Sequence, residues 1–419
     1  MNAPKIMRIF SRRAALLAAI AIILAGWWGS DLVHAQKFSS LASRRGEITK
    51  ILRERDIPAD QAKFFDDYFN RFLQQFVAPE RPYDINDLPK VRSHLKIYLS
   101  TGKNGQAHDR LNELVLKKML DILKNDKLGP HQATIQYNAL LVIGDLNQDE
   151  GDGKNGKPLP GSYPHLINAL RSSKESLKAA ALVGLDRYAA AGAVPADKTA
   201  DLTKTLLELL TQQEPPAGRS AAAHAYLRRD AAQVLASLGS PGPGDSVVKA
   251  FEAIVSDPHA RTTLRCEITQ FLGQLKYPPN SKVDFQQLAN LIGHQTVEIC
   301  QQELEAALAA KRPASRRLIM YSLYSSGLGL NGLKAAAPEG APARDFLDKL
   351  RGQLGAVYKL TDDYSVAEEN PDALDADFAQ TLGDKIKNLH DLLLAKPDAQ
   401  KENLTAVDSK ETLSDSAKQ

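Results

Sequence analysis

The sequence predicts an all-α protein, a right-handed superhelix of stacked helix pairs closed by a helical cap at each end. A twelve-residue apolar pattern recurs four times, at 135–146, 177–188, 227–238 and 264–275. Each copy opens on an aliphatic residue and carries small or apolar residues at helical spacing; three of the four end near a Gly or an Ala-Ser break. A period of about 35–50 residues, each unit a pair of helices, marks a stacked array. No stretch reads as a multi-strand sheet.

The first 35 residues read as an export signal. Lys5, Arg8, Arg12 and Arg13 form a basic start, residues 14–26 an unbroken apolar run, and Val33 and Ala35 the small residues of a cleavage point before Gln36. The run is shorter than the about 20 residues a membrane span needs, although Trp27 and Trp28 lengthen it. Cleavage after Ala35 is the reading, with retention as an inner-membrane anchor the alternative. The expected location is therefore periplasmic or secreted.

The full chain has 53 basic and 50 acidic residues; without the leader it has 49 of each. Bulk attraction to nucleic acid or anionic lipid thus loses its support, and membrane association rests on an uncleaved leader alone. The charge is uneven: residues 362–419 hold 14 acids against six lysines, which leaves +8 on 36–361. The acidic end reads as a solvated segment, with docking onto the basic body or an acidic partner for that body as alternatives.

Residues 36–129 are predicted as an N-terminal helical cap region. Phe64, Phe65, Tyr68, Phe69, Phe72 and Phe76 form an aromatic stripe at helical steps. Such a stripe either closes the open end of a repeat array or offers a face to a partner or membrane. The neighbouring Asp66 and Asp67 favour the cap.

Residues 130–335 hold the helix pairs. First helices are expected at 163–171, 197–212, 245–256 and 284–293, with the patterned segments as second helices and a degraded fifth copy at 297–308. Asp245 after Gly-Pro-Gly is the expected N-cap of its helix, and Asp257-Pro258 marks a turn. A helix over 313–335 is expected to be broken by the Gly-rich stretch 325–330. Helices at 343–360 and 376–395 make residues 336–395 a C-terminal helical region, and 396–419 a disordered acidic tail. Cys266 and Cys300 fall on stacked helices, about 8–10 Å apart, beyond the about 7 Å Cα separation that a disulfide tolerates. Buried free thiols are the expectation.

The twelve-residue pattern resembles the second helix of HEAT repeats, in which an aliphatic residue precedes a basic one and a Leu-Gly-x-Leu ending is common. Leu264-Arg265 with Leu272-Gly273-Gln274-Leu275 carries the resemblance best, and Leu227-Arg228 with Leu235-Ala236-Ser237-Leu238 next. The first copy keeps Ile143-Gly144-Asp145-Leu146 but has Gln136 at the basic position; Leu177-Lys178 keeps only the start. The resemblance covers about 180 of the 419 residues. It implies a scaffold that binds partners along a face or along edge loops. It also implies that Lys178, Arg228 and Arg265 hold neighbouring repeats together through polar contacts.

Catalytic constellations are missing: there is no His-Glu-x-x-His, no Gly-x-Ser-x-Gly and no phosphate-cradling Gly-rich loop. Two candidate sites remain. Asp145, Asn147, Asp149 and Asp152 alternate oxygen ligands in a glycine-containing loop, as calcium requires, although an EF-hand would want glycine where Glu150 stands and Glu where Gly156 stands. An acidic solvated loop is the plainer reading. Arg219, Arg229, Arg261 and Arg316 are expected to face solvent and to suit an acidic partner. The connections at 145–162, 239–244 and 277–283 are expected along one edge, as a binding rim. The expected function is an exported, non-catalytic interaction scaffold for a protein partner, without a cofactor. A metal- or small-ligand-binding protein or enzyme using residues 145–152 is one alternative, and a self-assembling structural protein another.

Overall fold

The computed structural model describes residues 39–77, 85–151, 156–279, 281–309, 314–364, 374 and 376–394. The expected leader 1–35 and the expected disordered tail 396–419 lie outside the described residues. The protein is all-α: fifteen α-helices run through the described residues, joined by a few 3₁₀ turns and one two-stranded ribbon (Asn147–Asp149 and Lys157–Pro158). No described helix is long and apolar enough to cross a membrane. The chain forms two compact units, Met1–Lys157 and Pro158–Gln419, so the first copy of the pattern belongs with the N-terminal helices.

The first unit comprises α1 (Ser39–Glu54), α2 (Ala62–Gln74), α3 (Leu88–Gly102), α4 (Gln106–Lys124) and α5 (Gln132–Asp145). Its core is the aromatic stripe. Phe65, Phe69 and Phe76 are fully buried, and Tyr98 of α3 meets Tyr68, Phe69 and Phe72 edge-on at centroid distances of 6.1, 5.4 and 5.4 Å. The two tyrosine hydroxyls share a 2.7 Å hydrogen bond, so neither polar tip is stranded in the apolar cluster. Phe64, at the edge, is covered by the Arg44 guanidinium 3.7 Å from its ring centre. The stripe is thus spent on the unit's own interior.

The second unit comprises α6 (Tyr163–Leu170), α7 (Glu175–Ala190), α8 (Ala196–Thr211), α9 (Ala221–Leu238), α10 (Ser246–Ser256), α11 (Thr262–Leu272), α12 (Phe285–Leu308), α13 (Arg316–Ala336), α14 (Pro342–Asp363) and α15 (Ala376–Leu394). Consecutive helices pack as hairpins, α6 on α7, α8 on α9 and α10 on α11, and α7, α9, α11 and α13 each also touch the next of that series.

The second position of the pattern has a repeated structural task. The last carbonyls of an α-helix have no partner within the helix. Gln136 of α5 donates Nε2 to the Leu123 and Asn125 carbonyls at the end of α4, at 3.0 and 3.2 Å. Arg228 of α9 donates Nε to Leu210 O of α8 at 2.8 Å, and Arg265 of α11 donates Nε to Val255 O of α10 at 2.9 Å. Each second helix therefore caps the first helix of its own pair. Lys178 departs from this. Its ammonium lies 3.5 Å from Glu175 on its own helix, and α6 is closed by backbone N–H groups of its following turn.

Three local expectations are corrected. Asp245 stands at the N-cap position of α10 but has left-handed backbone (φ 59°) and makes no capping bond; Asp284 does cap, accepting from the Gln286 and Gln287 amides. The segments 284–293 and 297–308 are one continuous helix, α12, because Gly293-His294-Gln295-Thr296 contains no proline to break it. Residues 325–330 do not interrupt α13. Gly329 in that stretch and Gly332 just after it let α13 press backbone to backbone against α11 and the Gly273 turn that follows it. A Cβ on Gly329 would lie 2.3 Å from Thr269 O, and one on Gly332 only 1.8 Å from Gly273 O.

Cys266 and Cys300 are buried free thiols. Burial pushes the Cys266 pKa up to about 11 and that of Cys300 higher still, which keeps both protonated and unreactive.

Candidate functional site

The acidic loop of the first unit is held by residues that lie far from it in sequence. Asp149 Oδ1 accepts from the Asn104 amide at 2.7 Å and from the Gly151 N–H at 2.8 Å, and these bonds hold its carboxyl below the usual range. The Asn147 amide donates to Glu150 Oε2 at 2.9 Å, while Asn112 donates to the Asn147 carbonyl at 2.8 Å. Glu150 is almost fully buried and reaches His108 Nε2 at 3.3 Å. The residue that disqualifies the loop as an EF-hand is thus its anchor. No signal within the loop announces this, because His108 lies 42 residues earlier.

Asp145 closes α5 and, with Asn147 and Glu150, borders a void of about 20 Å³, room for a single water. Arg92 and Lys96 line the same void, which Asp149 does not reach. Among the described residues no three of His, Cys, Asp and Glu converge as metal ligands. Asp152 lies outside the described residues.

The His108–Glu150 pair has a pH consequence. Burial alone lowers the imidazole pKa, but the hydrogen bond and charge of Glu150, joined by Asp109, outweigh it and raise the value above the ordinary 6.5. Stabilisation by a raised histidine is complete below its unfolded pKa and is lost as pH rises through the folded one. The melting temperature is therefore expected to fall as pH rises from about 6 through 8. His108→Gln should flatten that slope, and parallel profiles for the two proteins would remove the assignment.

The four arginines do not form a solvent-facing row. Arg219 has 4% of its side chain exposed; Nη2 donates to Glu175 Oε1 at 2.9 Å, and Nε stands 2.7 Å from Oε2. Its Nη1 donates to Nδ1 of His224, whose Nε2 reaches the Gln212 carbonyl at 2.7 Å, so both ring nitrogens are engaged. Arg229 is shared between Asp230 (2.9 Å) and Glu267 (3.3 Å). Arg316 closes the end of α14 through the Thr361 and Asp362 carbonyls, at 3.0 and 3.1 Å. Arg261 alone of the four is exposed with no ion pair among the described residues. Desolvation explains the rest: a half-buried guanidinium this close to a carboxylate or an orphan carbonyl is satisfied internally.

Arg261 stands at the mouth of an open cleft of about 800 Å³ in the second unit. The cleft is bounded by the connection between α8 and α9, the first turns of α9 and the turn between α10 and α11; Arg228 lies in its wall. The Lys276 amide, one residue before the expected rim loop 277–283, donates to Gly239 O, the first residue of the loop 239–244, at 2.7 Å. Neither a protein-family model nor any curated protein matches the chain, so the cleft and the loop stand on their own geometry.

Proposed function

We propose that this chain is an exported HEAT-like α-solenoid, a right-handed stack of helix pairs with helical caps, that serves as a non-catalytic scaffold for a protein partner in the envelope or beyond it. The observation that carries the reading is the repeated cap: Gln136, Arg228 and Arg265 occupy one pattern position and perform one task in three pairs. A side chain reused in that way fits tandem units better than an unrelated helical bundle. The successive contacts of α7, α9, α11 and α13 support the same stacking. The cleft at Arg261 is the part of the second unit best suited to receive a partner, being roomy, open and lined by polar and apolar atoms alike.

Crosslinking mass spectrometry of the full chain in its native envelope tests this. One partner should crosslink within residues 212–261, and Arg261→Glu should reduce its capture by about tenfold. Crosslinks scattered evenly over the surface, with capture unchanged in the variant, would overturn the reading.

A further inference from the structure

Arg228 and Arg265 occupy the same pattern position and cap the same kind of helix end, yet their terminal nitrogens meet different surroundings. Arg265 Nη2 pairs with Glu298 Oε2 at 2.5 Å, because α12 runs on for 24 residues and carries that carboxylate past α11. At the corresponding position of the copy that follows Arg228 stands Arg265 itself, and α10 between them ends after 11 residues at Ser256, where the chain turns at Asp257-Pro258. Asp257 is the nearest acid but forms no ion pair with Arg228, and its Oδ1 accepts the His259 N–H at 2.9 Å. Arg228 is 92% buried and has no carboxylate partner among the described residues; beyond the bond to Leu210 O, its remaining donors are left to the cleft.

Two helix N-termini enter the same cleft. Ala221 and Ala222 open α9, where Ser220 Oγ caps only the Ala223 amide, and Arg261 precedes the first turn of α11, which has no side-chain cap. Both ends present unpaired N–H groups and the positive pole of a helix. The exposed Glu214 and the half-buried Asp257 offset the formal charge of Arg228 and Arg261 in the lining. A single carboxylate can be met by the open donors of Arg228 and of the two helix N-termini, whereas a polyanion would be repelled by the two acids.

We infer that this cleft is a carboxylate-recognition site in which Arg228 and the N-termini of α9 and α11 receive a single acidic side chain from an extended partner segment, the place that Glu298 fills at Arg265. The inference rests on the scaffold reading, and it names the chemistry the partner must offer.

Gln136 supplies the test variant. Glutamine at this position keeps the bond to the preceding helix end, so Arg228→Gln removes the charge and the open donors while preserving the cap. Arg265→Gln is the matched control. Isothermal titration of the full chain with butyrate, a monocarboxylate, and with a blocked Gly-Gly-Glu-Gly-Gly peptide and its Gln counterpart, reads the site directly. Butyrate and the Glu peptide should bind the wild type and Arg265→Gln alike, and Arg228→Gln about tenfold or more weakly; the Gln peptide should not bind. Butyrate binding without the Glu peptide would assign the site to a free small acid and overturn the partner-segment part. Equal binding to Arg228→Gln, binding of pyrophosphate in place of the carboxylates, or no binding at all would overturn the whole. Carboxylate binding that depends on Arg228, in a chain whose envelope crosslinks avoid residues 212–261, would remove the scaffold reading and leave the site standing.

Discussion

Gly332→Ala is expected to be among the most damaging single substitutions in the second unit. A Cβ there would stand 1.8 Å from Gly273 O and 2.4 Å from its carbonyl carbon. The obstacle is backbone, so no side-chain rotation relieves it; α13 must move away from α11. Gly329 lies one turn earlier, against Thr269 O, and fixes the same crossing, so the helix cannot tilt to escape. Overpacking of this kind costs about 3 kcal/mol, and the buried Leu330 and Leu333 beside it lose contacts as the helices part. Chemical denaturation should show a lower midpoint. Gly327→Ala, on the same helix with nothing within 4 Å of the added carbon, should be neutral or slightly stabilising. Equal midpoints for the two variants would mean that α11 and α13 do not approach this closely.

Phe69→Ala should weaken the first unit by a similar or larger amount. The ring is fully buried, stands 4.8 Å from Phe65 and 5.3 Å from Tyr68 between centroids, and meets Tyr98 of α3 edge-on. Truncation removes the transfer energy of a whole ring and leaves a cavity bordered by other stiff rings that collapse poorly, a loss of about 3–5 kcal/mol. Phe69→Leu, which keeps most of the volume, should recover most of it. Near-ultraviolet circular dichroism follows the tyrosine cluster directly. An unchanged tyrosine signal and melting curve in Phe69→Ala would contradict a core organised around these rings.

The particular residues show what a sequence discloses and what it hides. The second helices were legible because their apolar residues recur at helical spacing and three of the four copies end on a small-residue signal. α14 and α15 were legible for the same reason. The glycines of α13 were not: at 325–330 they carry the composition of a break. Their packing role depends on Gly273, more than 50 residues away. The continuity of α12 was hidden because a twelve-residue pattern says nothing about what precedes it. At the candidate site, Arg261 was identifiable as an exposed cation. Arg219, Arg229 and Arg316 were not identifiable as engaged, since their partners lie on other turns and helices. The difference between Arg228 and Arg265 is not in either residue at all. It lies in what the next copy carries at the same position, Glu298 after Arg265 but Arg265 after Arg228.

The cap supplied by Gln136, Arg228 and Arg265 also sets where this chain can be divided. Each of these side chains closes the helix before it, so a cut between α4 and α5, α8 and α9, or α10 and α11 strands carbonyls that nothing else nearby replaces. A cut after α5, α9 or α11 severs no such bond. The hairpin with its internal clasp is thus the smallest transferable module, and duplication, deletion or grafting in such a chain is expected to respect its edges.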